Sequence, residues 1–234
     1  MTTRHTLTSG LSLNVAGRSD APLAVIVLQE AFGVNDHIRD VTDRYGEEGF
    51  LAVAPELFHR DGSPEIAYTD FASALTHMGN FTREGLEADL RDTVAWLTTQ
   101  GYATENIGVV GYCMGGTVAS FANTLGVVGA AASYYGGGVV NPRFGLPSIV
   151  QMTADFQAPW IGLYGGLDKG IPMSEIESLR EALAAAPHDT DLILYEDADH
   201  GFNCNDRTNV YNADAAADAT ERTYEFFREV LTER

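Results

Sequence analysis

Short apolar runs alternate with amphipathic helical patterns along the whole chain, and this alternation is the strongest constraint on its fold. A continuous apolar run such as 23–28 is typical of a strand buried on both faces, as in a parallel sheet. Segment 84–100 instead spaces its apolar residues by four, four and three, which predicts a helix ended by Gly101. We therefore expect a mostly parallel, twisted sheet flanked by helices, with residues 1–234 forming one domain.

The remaining elements follow from the same patterns. Asn35 is expected to cap a helix, and Ser174 begins a capping-box pattern that predicts the start of another. The predicted strands are 23–28, 51–54, 107–111, 126–135, 160–165 and 191–195, and a final helix is predicted over about 214–232.

Composition excludes several classes of function. The chain has 14 Lys+Arg against 33 Asp+Glu and a net charge of −19, which argues against nucleic acid or an anionic membrane as a partner. Two cysteines are too few for a secreted disulfide scaffold. The segment MTTRHTLTSG lacks the apolar core of a signal peptide, and no run approaches the roughly 18 apolar residues of a membrane span. We expect a soluble, cytoplasmic protein, either a monomer or a small homo-oligomer.

The most informative local motif is GYCMG, residues 111–115, which lies between a predicted strand and a predicted helix. It matches the G-x-nucleophile-x-G elbow of α/β-hydrolases, with Cys113 in place of the commoner serine. The glycines are needed because strand and helix approach closely at this turn. The turn would also place the thiol at a helix N-terminus, which favours the thiolate. A packed structural thiol is the alternative, since cysteine is among the most buried residue types.

Two later residues complete the pattern of a catalytic triad. Enzymes with this elbow carry nucleophile, acid and histidine in that order, with the acid and the histidine each following a strand. Asp168 follows the predicted strand 160–165, and His200 follows 191–195. The order and context predict a triad of Cys113, His200 and Asp168. The other histidines match no such position and are expected to be structural or exposed: His5, His37, His59, His77 and His188.

Glu30 directly follows the first apolar strand, where the oxyanion-hole loop of this fold begins. The backbone amides of Met114, after the nucleophile, and Ala31, in this loop, are the expected oxyanion-hole donors. Beside a thiol, the Glu30 carboxylate could hold Cys113 neutral through a hydrogen bond until substrate arrives, or accept its proton. A solvent-exposed glutamate is the alternative.

Taken together, these motifs resemble the dienelactone hydrolase (carboxymethylenebutenolidase) family, an α/β-hydrolase subfamily with a cysteine nucleophile. The resemblance implies a single α/β-hydrolase domain without a large cap. It also implies that Cys113 is the nucleophile, that His200 is the base oriented by Asp168, and that Glu30 gates ionisation of the thiol. The matching segments span nearly the whole chain: QEAFGVNDHIRD, GFLAVAPELF, GYCMGG, YYGGG, GGLDKGIP, YEDADHGF and ERTYEFF.

The implied activity is hydrolysis of the enol lactone 4-carboxymethylenebut-2-en-4-olide to maleylacetate. The Cys113 thiolate would attack the lactone carbonyl to form an acyl-enzyme, which water activated by His200 then hydrolyses. Small lactones or esters are the expected partners, and no cofactor or metal is expected. Asp197, Asp199 and His200 imitate a metal-ligand cluster, but the triad requires His200 to be free.

The chain departs from the family pattern in the residues that bind the substrate carboxylate. The resemblance implies two arginines, but Phe71 lies near the first position and Cys204 occupies the second, four residues after His200. With both missing and a net charge of −19, a neutral ester or lactone is favoured as substrate. The candidate substrate contacts are Arg83, Arg207, Phe32 and Tyr135, with an aromatic core role as the alternative for the last two.

Two further hypotheses about the cysteines remain open. A catalytically quiet α/β-hydrolase scaffold could bind a small ligand or sense oxidants through Cys113, although the intact triad order argues against it. Cys204 lies near His200 in sequence and could pair with Cys113 on oxidation; a spare thiol is the alternative.

Overall fold

An eight-stranded sheet forms the centre of the protein in the computed structural model, which describes residues 1–232. The strands are β1 (Thr3–Thr6), β2 (Ser12–Ala16), β3 (Ala24–Leu28), β4 (Leu51–Pro55), β5 (Ile107–Tyr112), β6 (Ala130–Tyr134), β7 (Trp160–Gly165) and β8 (Thr190–Tyr195). Their order across the sheet is β1-β2-β4-β3-β5-β6-β7-β8. The pairs β1–β2 and β2–β4 are antiparallel, and every pair from β4–β3 to β7–β8 is parallel. This is the mostly parallel α/β-hydrolase sheet that the sequence predicts.

Helices cover both faces of this sheet. They are α1 (Asp36–Glu47), α2 (Phe71–Gly79), α3 (Arg83–Thr99), α4 (Met114–Thr124), α5 (Ile149–Met152), α6 (Met173–Leu183) and α7 (Ala213–Val230), with short 3₁₀ turns at His59–Asp61, Thr104–Asn106 and Thr153–Asp155. No helix within residues 1–232 has the length and apolar character needed to cross a membrane.

The central strands divide their side chains between two apolar layers. In β3, Ile26 and Leu28 join the layer that holds α3, α4 and α6, while Val25 and Val27 join the layer that holds α1 and α7. All five β3 residues are buried, because helices cover the sheet on both sides. The core therefore fixes the sheet rigidly, and the carboxyl ends of β3, β5, β7 and β8 are held at one edge.

Most predicted elements are confirmed, with three corrections. The predicted helix 84–100 corresponds to α3, and Gly101 ends it at φ +94°. The capping box at Ser174 is wrong: α6 begins at Met173 after Pro172, whose φ of −66° and ψ of 156° already provide the non-helical cap residue. The predicted strand 126–135 is also too long, because Gly126, at φ +63°, still belongs to the end of α4. The final helix ends at Val230 rather than 232.

Apart from the 3₁₀ turns, four elements lie where no element was predicted: β1, β2, α2 and α5. The four β1 residues, TRHT, are all exposed, so no alternation of apolar and polar residues marks the strand. The strand is held instead by polar contacts, since Arg4 forms two 2.7 Å hydrogen bonds with Glu56. Asn14 of β2 donates to the same carboxylate at 3.1 Å.

Candidate active site

Cys113 occupies the turn between β5 and α4, as the elbow motif predicts. Its backbone adopts φ +56° and ψ −117°, in the region that non-glycine residues rarely enter. Such strain persists only where the surrounding structure enforces it, and it is concentrated at functional sites. The turn leaves the side chain partly exposed at the N-terminus of α4. Cys113 therefore has both the backbone conformation and the accessibility of an elbow nucleophile.

The two flanking glycines explain how this turn can form. A Cβ on Gly111 would overlap the carbonyl of Gly115, and a Cβ on Gly115 would lie 2.5 Å from the Leu28 oxygen and 2.6 Å from the Gln29 oxygen. Any side chain at either position would push α4 away from β5 or β3. The strained thiol position thus depends on glycine two residues before and two residues after it.

Asp168 and His200 meet at the carboxyl edge of the sheet. His200 Nδ1 lies 2.6 Å from Asp168 Oδ2, and Asp168 Oδ1 accepts a 2.8 Å hydrogen bond from the Gly170 amide. The Asp168 side chain is 2% exposed and that of His200 is 30% exposed. The buried carboxylate is held from two sides and orients an imidazole that still reaches solvent.

The charge state of His200 depends on both neighbours. Burial lowers the pKa of His200, but the charge and hydrogen bond of Cys113, together with those of Asp168, outweigh it and raise the pKa well above its usual range. Because both Cys113 and Asp168 act on its pKa, the His200 ring lies near the predicted nucleophile as well as the predicted acid.

The residues predicted to donate the oxyanion-hole hydrogen bonds lie in the two expected segments. Ala31 is in the loop after β3, Met114 opens α4, and each is 1% exposed. Within residues 1–232, neither backbone N–H donates a hydrogen bond to a protein group. Two unpaired amides beside the nucleophile are available to bind a developing oxyanion.

Glu30 is buried, which excludes the alternative of a solvent-exposed glutamate. Its Oε1 accepts a 3.3 Å hydrogen bond from Tyr135, while its Oε2 is buried without a partner among the described residues. No hydrogen bond joins Glu30 to Cys113 in the described part of the chain, so the expected contact is absent from this conformation. Tyr135 is fully buried, with its ring centroid 5.1 Å from that of His200. It thus supports Glu30 and His200 from behind, rather than forming an accessible pocket wall.

Arg207 is the predicted substrate-binding arginine that lies beside Gly201, the residue after His200. Its guanidinium carbon lies 5.8 Å from the Phe32 ring centroid and 5.7 Å from that of Tyr68. The guanidinium also lies close to Gly201: a Cβ added to Gly201 would be only 2.6 Å from Nη1 of Arg207. No carboxylate of residues 1–232 forms an ion pair with it.

Arg83, the other candidate for the carboxylate-binding role, and Phe71, which stands near the position of a missing arginine, lie elsewhere. The guanidinium carbon of Arg83 is 5.5 Å from the ring centroid of Phe121, in the second half of α4. Phe71, near the position of the family's first arginine, is 55% exposed at the start of α2. Arg207, beside the residue that follows His200, is therefore the candidate cation of the site.

A second group of reactive side chains was not predicted. Glu30, His37 and Cys204 each place a potential ligand atom within 4.8 Å of the others, and all three are buried. Asp197, Asp199 and His200, which imitate a metal-ligand cluster in the sequence, do not form such a group within residues 1–232. His37 was expected to be structural or exposed, and the structure places it at 1% exposure. Only the positions of Glu30 after a strand and Cys204 after the catalytic histidine gave any signal in the sequence.

The pKa values of this second group reflect burial. Burial lowers the pKa of His37, although the charge of Glu30 opposes it. Burial and the charge of Glu30 raise the pKa of Cys204 to about 11, although a hydrogen bond with Tyr68 opposes the shift. His37 is therefore neutral and Cys204 a thiol near neutral pH.

Comparisons with known proteins agree with this architecture. Residues 14–231 match the profile of the "Dienelactone hydrolase family". A protein of Escherichia coli O157:H7, provisionally named a carboxymethylenebutenolidase, is 37% identical over 91% of this chain and 79% of its own. The carboxymethylenebutenolidase of Pseudomonas putida is 30% identical over 94% of this chain and 96% of its own. A crystal structure from Klebsiella pneumoniae, provisionally named a dienelactone hydrolase, has a TM-score of 0.86 and 32% identity over 97% of this chain and 98% of its own.

Proposed function

Because the chain belongs to the dienelactone hydrolase family and is thus a hydrolase of carboxylic esters, we propose that it opens small lactones or esters with Cys113 as nucleophile. The observation that carries this proposal is the thiol on a strained elbow at φ +56°, beside a histidine that is 2.6 Å from a buried aspartate. A nucleophile, a base and a group that orients the base are the parts that covalent catalysis requires.

In the acylation step, His200 takes the proton of the Cys113 thiol, and the thiolate attacks the lactone carbonyl. The amides of Met114 and Ala31 stabilise the oxyanion of the tetrahedral intermediate. When the intermediate collapses, the carbon–sulfur bond is retained, the ring carbon–oxygen bond breaks, and the enol leaving group takes its proton from His200. The product of this step is a thioester on Cys113.

In the deacylation step, neutral His200 removes a proton from water, and the hydroxide adds to the thioester carbonyl. The carbon–sulfur bond then breaks, the carboxylic acid leaves, and the proton on His200 returns to the thiolate. Asp168 holds the Nδ1–H tautomer throughout, so that Nε2 is the basic nitrogen. Neither step uses a metal or a cofactor.

We also propose that Glu30 influences ionisation of the Cys113 thiol. Its Oε2 has no partner among the described residues, whereas Oε1 is held by Tyr135, so rotation of the carboxylate could bring a free acceptor to the thiol. The role follows from the family resemblance and from burial of the carboxylate beside the oxyanion-hole loop.

The test of the proposal is Cys113→Ala, assayed with p-nitrophenyl acetate and with 4-carboxymethylenebut-2-en-4-olide. We expect turnover to be lost while the thermal melt stays near that of the wild type. Mass spectrometry of acid-quenched wild-type enzyme should locate the acyl group on the peptide containing Cys113. Wild-type turnover in the variant would reject the proposal, and stoichiometric labelling of the thiol without turnover on any ester would favour the quiet scaffold instead.

Arg207 is proposed to bind a substrate carboxylate when one is present. A hydrogen bond to a charged group contributes about 1.5–3 kcal/mol, so Arg207→Gln should raise KM for an anionic lactone by roughly 10- to 100-fold. KM for the neutral p-nitrophenyl acetate should change little. Arg83→Gln is the matched control, because that guanidinium lies over Phe121 on α4. Equal effects of Arg207→Gln on both substrates would contradict the role.

A further inference from the structure

The buried cluster of Glu30, His37 and Cys204 shares no residue with the Cys113–His200–Asp168 triad, but it includes Glu30 of the proposed active site, so a ligand bound to Glu30 Oε2 would compete with the proposed action of that oxygen on the thiol. Glu30 follows β3, His37 lies in the first turn of α1, and Cys204 lies in the loop between β8 and α7. Their exposed fractions are 1%, 1% and 0%. One carboxylate oxygen, one imidazole nitrogen and one sulfur therefore meet inside the protein, with all ligand atoms within 4.8 Å of one another.

These polar atoms lack the hydrogen bonds that buried groups normally make. Among the described residues, the Oε2 of Glu30 and both ring nitrogens of His37 lack a partner at hydrogen-bond distance and angle. The Asn205 side chain lies near His37 and raises its pKa, but it does not meet hydrogen-bond geometry. Unpaired buried donors and acceptors are rare in folded proteins, and each needs an explanation such as an ion or water that satisfies it. A ligand between the three side chains would satisfy Glu30 Oε2 and one of the two ring nitrogens of His37.

We propose that Glu30, His37 and Cys204 form a binding site for one Zn²⁺ ion. Zn²⁺ binds sulfur at about 2.3 Å and nitrogen or oxygen at about 2.0–2.2 Å, so ligand atoms around a tetrahedral ion lie roughly 3.3–3.7 Å apart. Because the ligand atoms lie within 4.8 Å of one another, contraction by at most about 1.5 Å gives this geometry. The sulfur and nitrogen donors disfavour Ca²⁺ and Mg²⁺, which prefer oxygen.

Charge and neighbouring contacts are consistent with this ion. Binding breaks the S–H bond of Cys204, forms a zinc–sulfur bond and releases the proton to solvent, with no change of oxidation state. The thiolate and the Glu30 carboxylate then carry two negative charges, which balance Zn²⁺ beside a neutral His37. The Tyr135 hydroxyl, 3.3 Å from Glu30 Oε1, and the Tyr68 hydroxyl, 3.3 Å from Cys204 Sγ, orient two of the ligands. Three protein ligands leave the fourth position for a water molecule.

The full-length protein, stripped with a chelator and dialysed, tests the site by titration with ZnCl₂ and by elemental analysis of the gel-filtered complex. We expect one equivalent of Zn²⁺ per chain. Titration with Co²⁺ should give a thiolate-to-cobalt charge-transfer band in the near ultraviolet. The chain has only two cysteines, so two variants identify the thiolate that binds.

Cys113→Ala is the matched control and should retain both the stoichiometry and the cobalt band. Cys204→Ala should lose the band, and Cys204→Ala and His37→Gln should each weaken Zn²⁺ binding by at least about 100-fold, since even outer-shell changes cost 10- to 100-fold. A circular dichroism spectrum like that of the wild type establishes that each variant is folded, and His37→Gln tests the site if Cys204→Ala does not fold.

Two results would overturn the proposal. One is the absence of stoichiometric Zn²⁺ binding by the wild type. The other is a band that disappears in Cys113→Ala and persists in Cys204→Ala, which would place the metal on the catalytic thiol. These readouts measure binding rather than turnover, so they are independent of whether Cys113 is the hydrolytic nucleophile.

Discussion

The contact between Asp168 and His200 gives a sharp prediction about the reaction. In Asp168→Asn, the side-chain amide keeps nearly the same shape and can still accept the hydrogen bond from Gly170. With its oxygen held by Gly170, the side chain presents its NH₂ group to His200, and NH₂ cannot accept the hydrogen bond that the carboxylate accepts from Nδ1–H. As a donor, it would favour the tautomer with the proton on Nε2. That tautomer directs a proton, rather than a lone pair, toward Cys113.

The size of the effect follows from the 2.6 Å contact with a carboxylate that is 2% exposed. A hydrogen bond to a charged group contributes up to about 3 kcal/mol. The attraction between an imidazolium and a carboxylate whose charge centres are about 4 Å apart is about 4 kcal/mol at an effective dielectric constant near 20. A loss of roughly 3–4 kcal/mol corresponds to a fall in kcat/KM of about 10²- to 10³-fold.

The assay is hydrolysis of p-nitrophenyl acetate across neutral pH, combined with an NMR titration of the His200 ring. The pKa of His200 should fall in Asp168→Asn, because both the charge and the hydrogen bond of Asp168 raise it. Asp199→Asn is the matched control, since Asp199 accepts a 2.7 Å hydrogen bond from the His200 backbone amide rather than from the ring. An Asp168→Asn enzyme within about threefold of wild-type kcat/KM would refute the assigned role.

Two further predictions concern folding. Gly115→Ala would place a Cβ 2.5 Å from the Leu28 oxygen. We therefore expect loss of activity and a fall of about 3 kcal/mol in the free energy of unfolding measured in urea. Gly79→Ala is the control, because no atom lies near a Cβ at this end of α2, and it should be neutral or stabilise the fold by up to about 1 kcal/mol. Burial raises the pKa of Glu56, but its hydrogen bonds to Arg4 and to its polar neighbours outweigh burial and lower the pKa to about 2. Ionised Glu56 should therefore stabilise the fold by about 3 kcal/mol above its unfolded-state pKa near 4.5. At pH 3 the stabilisation should fall to roughly half of that value. Urea melts of Glu56→Gln and wild type at pH 7 and pH 3 check this, and an equal difference at both pH values would contradict it.

The predictable part of this molecule is the part whose signal is local. A buried parallel strand such as 160–165 can be predicted from a run of apolar residues alone. The elbow can be predicted from five consecutive residues, because its steric requirement acts between Gly111 and Gly115. Asp168 and His200 could be predicted because each lies just beyond a strand whose carboxyl end meets the same edge of the sheet.

Features that depend on contacts between residues distant in sequence leave no local pattern from which they can be predicted. β1 is exposed and is held to the sheet by backbone pairing and by Arg4, so its sequence carries no apolar alternation. His37 looked like one of several polar residues at the start of a helix. His37 is buried beside Glu30 and Cys204 because of the way α1 packs against the loop after β8. The periodicity of apolar residues along the chain does not predict this packing.

The net charge of −19 constrains the substrate less than composition alone suggests. At physiological ionic strength, charges farther apart than about 8 Å are largely screened, so most of the acidic surface has little influence on an anion that is already in the site. The surface field instead slows the approach of an anionic lactone, more strongly at low salt. Arg207 lies beside Gly201 and over Phe32, without an ion-pair partner among residues 1–232, so it contributes a local positive charge next to His200. Preference for a neutral or an anionic substrate should therefore depend on this guanidinium rather than on the overall acidity of the chain.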